Sequence, residues 1–267
     1  MTDNSFIELS SNQNQNIKRV RKLKRKKYRD DFQEFILEGT QIIEAAINMS
    51  GNIKEVYISE EVHKQENIEK IIGLFAERVD KYLLETELFA EISETVNSQG
   101  ILAVAEMKTC SLDSLIDLEG PILLLAGLQD PGNAGTLIRS ASAAGFAGII
   151  ALKGTVDIYN PKAIRASMGG IFDLELIKNV DLKDLKKRFI NSKRRMIFAE
   201  PGAAKPYYDF VFKENDILTI GNEARGLSNE IYELEHESIS IPIKGNIESL
   251  NAAMAGTILI FEMARIF

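Results

Sequence analysis

Three short polar segments, each placed after a short apolar run, constrain the fold of the C-terminal half more than any other feature of the sequence. They span residues 133–139, 221–228 and 241–251, and each contains glycine and small polar residues. A strand that ends in such a loop leaves backbone N–H and C=O groups exposed, and a polar ligand needs these groups as partners. Three loops of this kind in one domain predict a single composite ligand site.

The stretch from Pro121 onward alternates short apolar runs with helix-length segments. Residues 121–126 form a continuous apolar run, which is typical of a strand buried on both faces. Gly145 and Pro161 are typical of a helix end and a helix start, respectively. The alternation predicts an α/β domain over residues 121–267, with a mostly parallel sheet covered on both faces.

The N-terminal part predicts a separate, smaller α/β unit over residues 17–107. Residues 1–16 are dominated by Asn, Gln and Ser and predict a disordered tail. Residues 108–120 interrupt the periodicity and are interpreted as a linker between the two domains. The final predicted helix, residues 249–265, is apolar or small on nearly all sides, which indicates burial against its own sheet and against another subunit.

Basic residues are concentrated in one short segment near the N-terminus. The net charge of the chain is −7, which would ordinarily argue against a nucleic-acid partner. A dense positive segment on an otherwise acidic chain nevertheless indicates contact with a polyanion such as RNA, and the alternative is a helix face that is merely solvated. The segment contains no acidic residue, and its nine basic residues are Lys18, Arg19, Arg21, Lys22, Lys24, Arg25, Lys26, Lys27 and Arg29.

Several classes of protein and site are disfavoured by what the sequence lacks. Cys110 is the only cysteine, so an intrachain disulfide and a cysteine-based zinc site are excluded. His63 and His236 lie far apart and show no metal-ligand spacing. No apolar run reaches the roughly 18 residues that a membrane span requires, and neither dinucleotide-binding nor P-loop glycine patterns occur. We therefore expect a cytoplasmic protein without a metal or a membrane partner.

Arg139 and Glu223 are the charged candidates within the first two segments. Arg139 lies in a stretch of apolar and small residues, where its guanidinium needs an anion or carbonyl partners. It would contact a phosphate or ribose, or else extend to the surface or pair with a core carboxylate. Glu223 lies between two glycines and is expected to pair with Arg139 or Arg225, although an ordinary strand-to-helix turn also fits.

The polar residues at the helix starts have two interpretations each. Asn133 is placed either to cap its helix or to hold a neighbouring loop. Ser249 is predicted as the N-cap of the last helix. Asn251 is the lone polar side chain in that helix's first turns, where it would serve as a capping residue or contact a ligand.

The three segments, in their order and spacing, resemble the motifs of the SpoU (TrmH-type) branch of the SPOUT RNA methyltransferases. They read Asn-x-Gly-x-x-x-Arg, then Gly-x-Glu-x-x-Gly-x-Ser, then Ile-Pro-x-x-Gly-x-x-x-Ser-Leu-Asn. Residues 165–170 resemble a further recurring segment of this family. Glu38-Gly39 and the stretch from Ser93 to Val104 resemble the N-terminal substrate-binding domain of many such enzymes, a domain similar to ribosomal proteins that bind kinked RNA helices.

The resemblance implies a fold, a reaction and site residues. It implies a C-terminal SPOUT domain with a trefoil knot, beside a small N-terminal α/β RNA-binding domain. It also implies methyl transfer from S-adenosylmethionine to a ribose 2′-hydroxyl, in rRNA rather than tRNA, by a homodimer without a metal. Arg139 would help to deprotonate the hydroxyl. The remaining catalytic residues would be Asn133, Glu223, Ser249 and Asn251, and the cofactor would be held around Ile220, Gly221, Ile241, Leu250 and Ala252.

Two other functions remain open alongside this interpretation. The same fold serves a non-catalytic RNA-binding or ribosome-assembly protein, although such a protein has no need of all five polar site residues. A base-methylating SPOUT relative is the other alternative, and the Asn-to-Arg segment favours ribose chemistry. Antibiotic resistance through rRNA methylation is a biological variant of the main interpretation, and the target RNA and nucleotide are left unassigned.

Overall fold

The computed structural model describes residues 6–95, 97–108 and 110–266. Their contacts divide the chain into two compact units. The first unit contains residues 6–107 together with Tyr159–Phe172, and the second contains Lys108–Ile158 together with residues 173–266. Residues 1–5 of the predicted tail, Thr109 of the predicted linker, and Val96 and Phe267 lie outside the described residues.

Strands and helices alternate along most of the described chain. The strands are β1 (Ile7–Leu9), β2 (Glu34–Glu38), β3 (Ile53–Ser59), β4 (Asp80–Leu84), β5 (Ile101–Glu106), β6 (Ile122–Ala126), β7 (Gly148–Leu152), β8 (Glu175–Val180), β9 (Met196–Ala199), β10 (Ile217–Gly221) and β11 (His236–Ile239). The helices are α1 (Gln15–Leu23), α2 (Lys26–Phe32), α3 (Thr40–Asn48), α4 (Glu66–Leu74), α5 (Thr86–Ile92), α6 (Leu112–Asp117), α7 (Pro131–Ala143), α8 (Pro161–Ser167), α9 (Gly170–Asp173), α10 (Leu182–Ile190) and α11 (Ala252–Met263).

The first unit is built on a mixed sheet with the strand order β1-β4-β3-β5-β2. Strand β4 pairs in parallel with β1 and β3, whereas β5 is antiparallel to β3 and β2. Helix α1 buries Ile17, Val20 and Leu23, which recur at helical spacing and form one face against this core.

Two features near the N-terminus differ from the sequence-based expectations. Residues 7–9, predicted to be disordered, form strand β1, because Leu9 is buried and Ile7 lies opposite Tyr82 in the parallel ladder. The basic segment, for which one helix face was the alternative interpretation, is carried by two helices, α1 and α2. The chain is extended at Arg25 between them, with φ −103° and ψ 131°.

Residues 159–172, predicted within the C-terminal domain, group with the first unit. The ring of Phe35 lies 4.9 Å from that of Tyr159 and 6.0 Å from that of Phe172, measured between centroids. Gly169, at φ +95°, approaches Ala45 so closely that an added Cβ would lie 2.7 Å from the alanine's Cβ. Aromatic packing and a close backbone approach thus account for this grouping.

The second unit contains a six-stranded, all-parallel sheet with the order β11-β9-β10-β6-β7-β8. Strand β6, one of its two central strands, has four fully buried residues followed by the half-buried Ala126, as its continuous apolar composition predicts. After β6 the chain continues to β7, towards one edge of the sheet. After β10 it continues to β11, towards the opposite edge. The α/β class with a parallel sheet is confirmed, and the trefoil knot stays a prediction.

The segment predicted as a linker contains helix α6. Ser111 and Ser114 form a reciprocal capping box at its start, and Leu115 and Ile116 are buried in the core of the second unit. The predicted end of one helix and the predicted start of another are confirmed. Gly145 follows α7 with φ +72°, and Pro161 is the first residue of α8.

Candidate active site

Helix α7 contains the first polar segment, and Asn133 is not its N-cap, although capping was one of the two roles expected for Asn133. The N-cap is Asp130, whose Oδ1 accepts the backbone N–H of Asn133 at 2.9 Å. Pro131, which lacks an N–H, occupies the first helical position. Asn133 is the third residue of the helix, so its side chain is free to bind other loops.

Glu223 accepts three hydrogen bonds from the loop and helix that follow β6. The donors are the backbone N–H groups of Gln129 at 3.1 Å and Asp130 at 3.2 Å, and Asn133 Nδ2 at 3.0 Å. Burial acts to raise the pKa of the Glu223 carboxyl, but these hydrogen bonds outweigh it and hold the pKa below its ordinary value. The expected ion pair is wrong, since Glu223 pairs with neither Arg139 nor Arg225 in the described part of the chain.

Asn251 is the N-cap of α11, so the assignment of Ser249 to that position is wrong. Its Oδ1 accepts the N–H groups of Ala253 at 2.9 Å and Met254 at 3.2 Å. The Nδ2 of Asn251 also donates to Oδ1 of Asn133 at 3.1 Å. Glu223, Asn133 and Asn251 therefore form one hydrogen-bonded chain that joins all three polar segments.

Arg139 lies on α7 between the buried residues Ile138 and Ser140, and its own side chain is exposed. Among the described residues its guanidinium has no carboxylate partner, so pairing with a core carboxylate is wrong. A positive charge held at the helix surface without a partner remains available to an anionic group.

Helices α7 and α11 pack closely, and this contact positions Arg139 relative to Asn251. Gly256 of α11 lies against Leu137, where an added Cβ would be 2.4 Å from the leucine Cδ2. The hydroxyls of Ser140 and Thr257 lie 2.9 Å apart across the same contact. The absence of a side chain at Gly256 therefore permits the approach of the two helices.

A cavity of about 310 Å³ opens at the carboxyl ends of β9 and β11. Ser249 and two of the predicted cofactor residues, Ile241 and Leu250, line it. Three others lie elsewhere: Ile220 is buried in β10, Gly221 ends that strand, and Ala252 starts α11. Parallel sheets ordinarily bind ligands at this carboxyl edge.

Glu200 is a lining residue that the sequence interpretation missed. It follows β9, and its carboxylate accepts hydrogen bonds from the hydroxyls of Tyr232 and Ser238. The hydrogen bond to Glu200 raises the pKa of Tyr232 to about 12. The signal in the sequence was the same as in the other segments, since an apolar run, residues 196–199, is followed by a polar residue and a glycine at Gly202.

The basic segment divides into bonded and exposed side chains. Arg29 is only 2% exposed and donates to the carbonyls of Leu23 at 2.8 Å and Lys24 at 2.9 Å, so it is not available to RNA. Arg19 pairs with two glutamates, Arg21 pairs with one, and Lys24 Nζ donates to two carbonyls. Lys18 is half-buried, and the exposed members are Lys22, Arg25, Lys26 and Lys27.

The residues of the N-terminal resemblance form a hydrogen-bonded cluster. Glu38 accepts from the hydroxyls of Ser93 and Thr95 (2.6 Å for Thr95) and from the N–H of Glu94 at 2.9 Å. Burial acts to raise the pKa of Glu38, but these donors lower it overall. Gln99 Oε1 accepts from the N–H of Thr40 at 2.7 Å. The cluster thus fastens the end of β2 to the segment before β5.

Neither a metal-binding cluster nor a membrane-spanning helix occurs among the described residues. They contain no group of three or more His, Cys, Asp or Glu residues arranged to hold a metal ion. They also contain no helix that is both long and apolar enough to cross a bilayer.

Comparison with known proteins gives matches over both units. The model of the SpoU rRNA Methylase family matches residues 120–261, and the model of the MRM3-like substrate binding domain matches residues 14–103. The 23S rRNA (guanosine(2553)-2'-O)-methyltransferase RlmP of Bacillus subtilis is 30% identical over 261 residues, which cover 96% of this chain and 98% of that protein. The 23S rRNA (uridine(2479)-2'-O)-methyltransferase of Streptomyces viridochromogenes is 31% identical over 70% of this chain and 68% of its own.

Solved structures resemble the whole chain. An AdoMet-bound rRNA methyltransferase from Sinorhizobium meliloti has a TM-score of 0.85 at 26% identity, covering 98% of each chain. The SpoU methyltransferase AviRb from Streptomyces viridochromogenes, in complex with AdoMet, has a TM-score of 0.84 at 27% identity, covering 95% of this chain and 98% of its own. The resemblance inferred from the three polar segments is confirmed, and the chain belongs to the SpoU rRNA methylase family.

Proposed function

We propose that this protein transfers a methyl group from S-adenosylmethionine to a ribose 2′-hydroxyl of rRNA, where the three polar segments meet. The observation that carries the proposal is the pair of hydrogen bonds by which Asn133 joins Glu223 to Asn251. The reaction class follows from membership of the SpoU family, whose matched relatives are named as rRNA 2′-O-methyltransferases. S-adenosylmethionine is the cofactor, and it is bound in two of the similar solved structures.

The cavity at the ends of β9 and β11 suits this cofactor in size and charge. Its volume of about 310 Å³ is at the lower end of small-ligand sites, which span roughly 300–1,000 Å³. Ile241, Leu250 and Leu259 offer an apolar surface for the adenine. Glu200 and Glu248 line the same cavity and supply negative charge that complements a sulfonium cation. When bound, the cofactor supplies an electrophilic methyl group on sulfur.

In this proposal Arg139 acts on the RNA ribose. A ribose hydroxyl is a poor nucleophile unless its proton is removed or its alkoxide is stabilised. An exposed guanidinium without a carboxylate partner can hold a substrate phosphate beside that hydroxyl, so that a phosphate oxygen accepts the hydroxyl proton as the methyl group is transferred. Holding the hydroxyl oxygen in line with the electrophilic methyl group of the cofactor supplies a further part of the rate.

Asn133, Glu223, Ser249 and Asn251 are assigned positioning roles around Arg139. Asn133 and Asn251 tie the start of α7 to the start of α11, and Glu223 fixes the loop after β10 to the same point. Ser249 lines the cofactor cavity two residues before the cap of α11. Ile241 and Leu250 line the proposed cofactor cavity and keep their assigned role, whereas Ile220, Gly221 and Ala252 lie outside its lining.

The exposed basic residues of α1 and α2 are proposed to bind the RNA. Lys22, Arg25, Lys26 and Lys27 form a positive surface without carboxylate partners among the described residues. The match to a substrate-binding domain over residues 14–103 supports this assignment. An rRNA substrate also favours a cytoplasmic location.

A homodimer is proposed from the exposed face of α11. Met254, Ile258 and Phe261 recur at helical spacing and are 63%, 38% and 48% exposed. An apolar stripe on the helix that begins at the active site is suited to contact with a second copy. Sedimentation analysis of Met254→Lys/Phe261→Lys should show a shift towards monomer, whereas an unchanged mass would contradict this interface.

The activity is tested by mapping 2′-O-methyl groups across rRNA and tRNA with and without the protein, together with Arg139→Ala and Arg139→Lys. We expect a new 2′-O-methyl site in rRNA with the unaltered protein and none with Arg139→Ala. Calorimetry should show that Arg139→Ala still binds S-adenosylmethionine. A base methyl group would favour the base-methylating alternative, and failure of the unaltered protein to bind cofactor would favour a purely RNA-binding protein.

A further inference from the structure

A second cavity, of about 410 Å³, lies at the carboxyl edge of the same parallel sheet. It is placed at the ends of β6, β7 and β10, with Ala126, Leu152 and Asn222 among its lining residues. Strands β6 and β10 are neighbours, and the connections that follow them run towards opposite edges of the sheet. In open parallel sheets this point of reversal is where ligands ordinarily bind. The proposed cofactor cavity lies instead over β9 and β11, so the reversal point is left for another ligand.

The floor of this cavity is apolar and its walls are fixed by hydrogen bonds. Leu152, Leu182 and Leu227 contribute the apolar surface. Gln129 Nε2 donates to the carbonyls of Gly127 at 2.8 Å and Gly154 at 2.7 Å, which ties two of the surrounding loops together. An apolar surface between loops that are joined in this way is suited to an aromatic ring.

The charged side chains of the cavity lining are Lys153, Asp181, Arg225 and Glu230. Arg225 lines the cavity and is exposed, and in the described part of the chain its guanidinium has no ion pair. Its backbone N–H donates to Asn222 Oδ1 at 3.0 Å, which fixes the position of the residue in the loop. Lys153, also at the cavity, is paired with Asp181 at 2.5 Å. Arg225 is therefore the cation that remains to bind a phosphate.

We infer that this cavity binds one nucleotide of the substrate RNA, with its base on the leucine floor and its phosphate at Arg225. The inference rests on the proposed function. The loop that carries Arg225 also carries Glu223, whose hydrogen bonds reach Asn133 and the start of α7. A nucleotide held here would therefore be anchored to the same loop that holds the proposed catalytic residues together.

The test compares Arg225→Ala with Ser228→Trp and with the control Lys187→Ala. Arg225→Ala removes the phosphate contact, and Ser228→Trp fills the cavity without removing a charge, since Ser228 lines it and is exposed. Lys187 is exposed on α10, outside the cavity lining, so its removal matches the charge change alone. We expect Arg225→Ala to raise the KM for rRNA roughly tenfold or more, as loss of one charge-assisted contact would. Ser228→Trp should raise it as well by excluding the nucleotide, with the affinity for S-adenosylmethionine unchanged in both variants.

Photocrosslinking of an rRNA transcript containing 4-thiouridine gives a readout that does not depend on turnover. Mass spectrometry of the full-length protein should locate crosslinks in residues 225–231 or 152–154, and Ser228→Trp should abolish them. An unchanged KM in both cavity variants, or equal loss in the lysine control, would overturn the inference. So would loss of cofactor binding in Arg225→Ala, which would assign the cavity to the cofactor. A protein that crosslinks here but transfers no methyl group would contradict only the proposed reaction and would leave the nucleotide site supported.

Discussion

The side-chain amides of Asn133 and Asn251 are joined by a hydrogen bond of 3.1 Å, from Nδ2 of Asn251 to Oδ1 of Asn133. An amide carries a donor and an acceptor, so Asn133 can accept from Asn251 while donating to Glu223. A carboxylate or a hydrophobic residue of similar size could not make both bonds. The requirement for asparagine in the first polar segment follows from this dual role.

Replacing Asn133 should reduce methyl transfer without removing the cofactor cavity. We expect Asn133→Ala to lower kcat at least tenfold, because the three loops lose their shared partner, and Asn133→Asp to be worse, because it places a second carboxylate against Glu223. Single-turnover assays would measure the effect. Thr136→Ala, an exposed change on the same helix, should leave kcat near that of the unaltered protein. Equal activity in Asn133→Asp would contradict the bridging role.

Charge reversal on α1 and α2 should weaken RNA binding through electrostatics alone. We expect Lys22→Glu/Lys26→Glu/Lys27→Glu to lower rRNA affinity and to reduce the salt dependence of binding, by about 0.7–0.9 in slope for each lost phosphate contact. Titrations at several salt concentrations would measure this slope. Arg29→Ala should behave differently, lowering the melting temperature because its buried bonds to Leu23 and Lys24 are lost. An unchanged slope in the triple variant would show that the exposed lysines of α1 and α2 do not contact RNA.

The Glu38 cluster should give the first unit a stability that depends on pH. The folded state lowers the pKa of the Glu38 carboxyl. The stabilisation of the folded state by this carboxylate is therefore fully present above the ordinary pKa of glutamate and is lost as the pH falls through the lowered pKa. We expect Glu38→Gln to cost about 1–3 kcal/mol near neutral pH, where hydrogen bonds to the charged carboxylate are lost, and less in acid. Denaturant unfolding would show this, with the exposed Glu44→Gln as the control. A cost that does not change with pH would show that the carboxylate charge is not involved.

Two helical glycines should respond to alanine in opposite directions. Gly256→Ala places a Cβ against Leu137 and should destabilise the fold by about 1–3 kcal/mol through overpacking. Gly73 of α4 has nothing within 4 Å of an added Cβ, so Gly73→Ala should stabilise by about 0.5–1 kcal/mol. Thermal unfolding of the two variants measures both signs. A melting temperature that does not fall for Gly256→Ala would show that α7 and α11 separate easily.

Patterns local in sequence predicted much of this protein. The buried strand β6, the ends of α7 and α8, the parallel sheet and the three polar segments all follow from composition and spacing. The partners of Glu223 could not be predicted, because they are backbone N–H groups of a loop more than ninety residues away. Its neighbours in sequence, including Arg225, suggested an ion pair instead. Long-range hydrogen bonds leave no trace in local charge pattern.

The roles of the individual basic residues near the N-terminus also could not be predicted from the local sequence. Nine cations in twelve residues correctly mark a positive surface, but the pattern cannot distinguish a side chain that binds phosphate from one that supports the fold. Arg29 belongs to the second kind because the chain turns after Leu23, leaving carbonyls without helical partners. Glu200 was overlooked because it is a single polar residue after its apolar run and lacks the spacing of the three motifs.

The buried guanidinium of Arg29 also bears on the entropy of RNA recognition. By binding the last carbonyls of α1 from within α2, it restricts the hinge between the two helices before any ligand arrives. In the proposed RNA complex, the exposed Lys26 and Lys27 of α2 would be carried on this preorganised frame, so less conformational freedom would be lost when they meet phosphates. One inward-facing arginine would thereby make its outward-facing neighbours better ligands for a polyanion without contacting the polyanion itself.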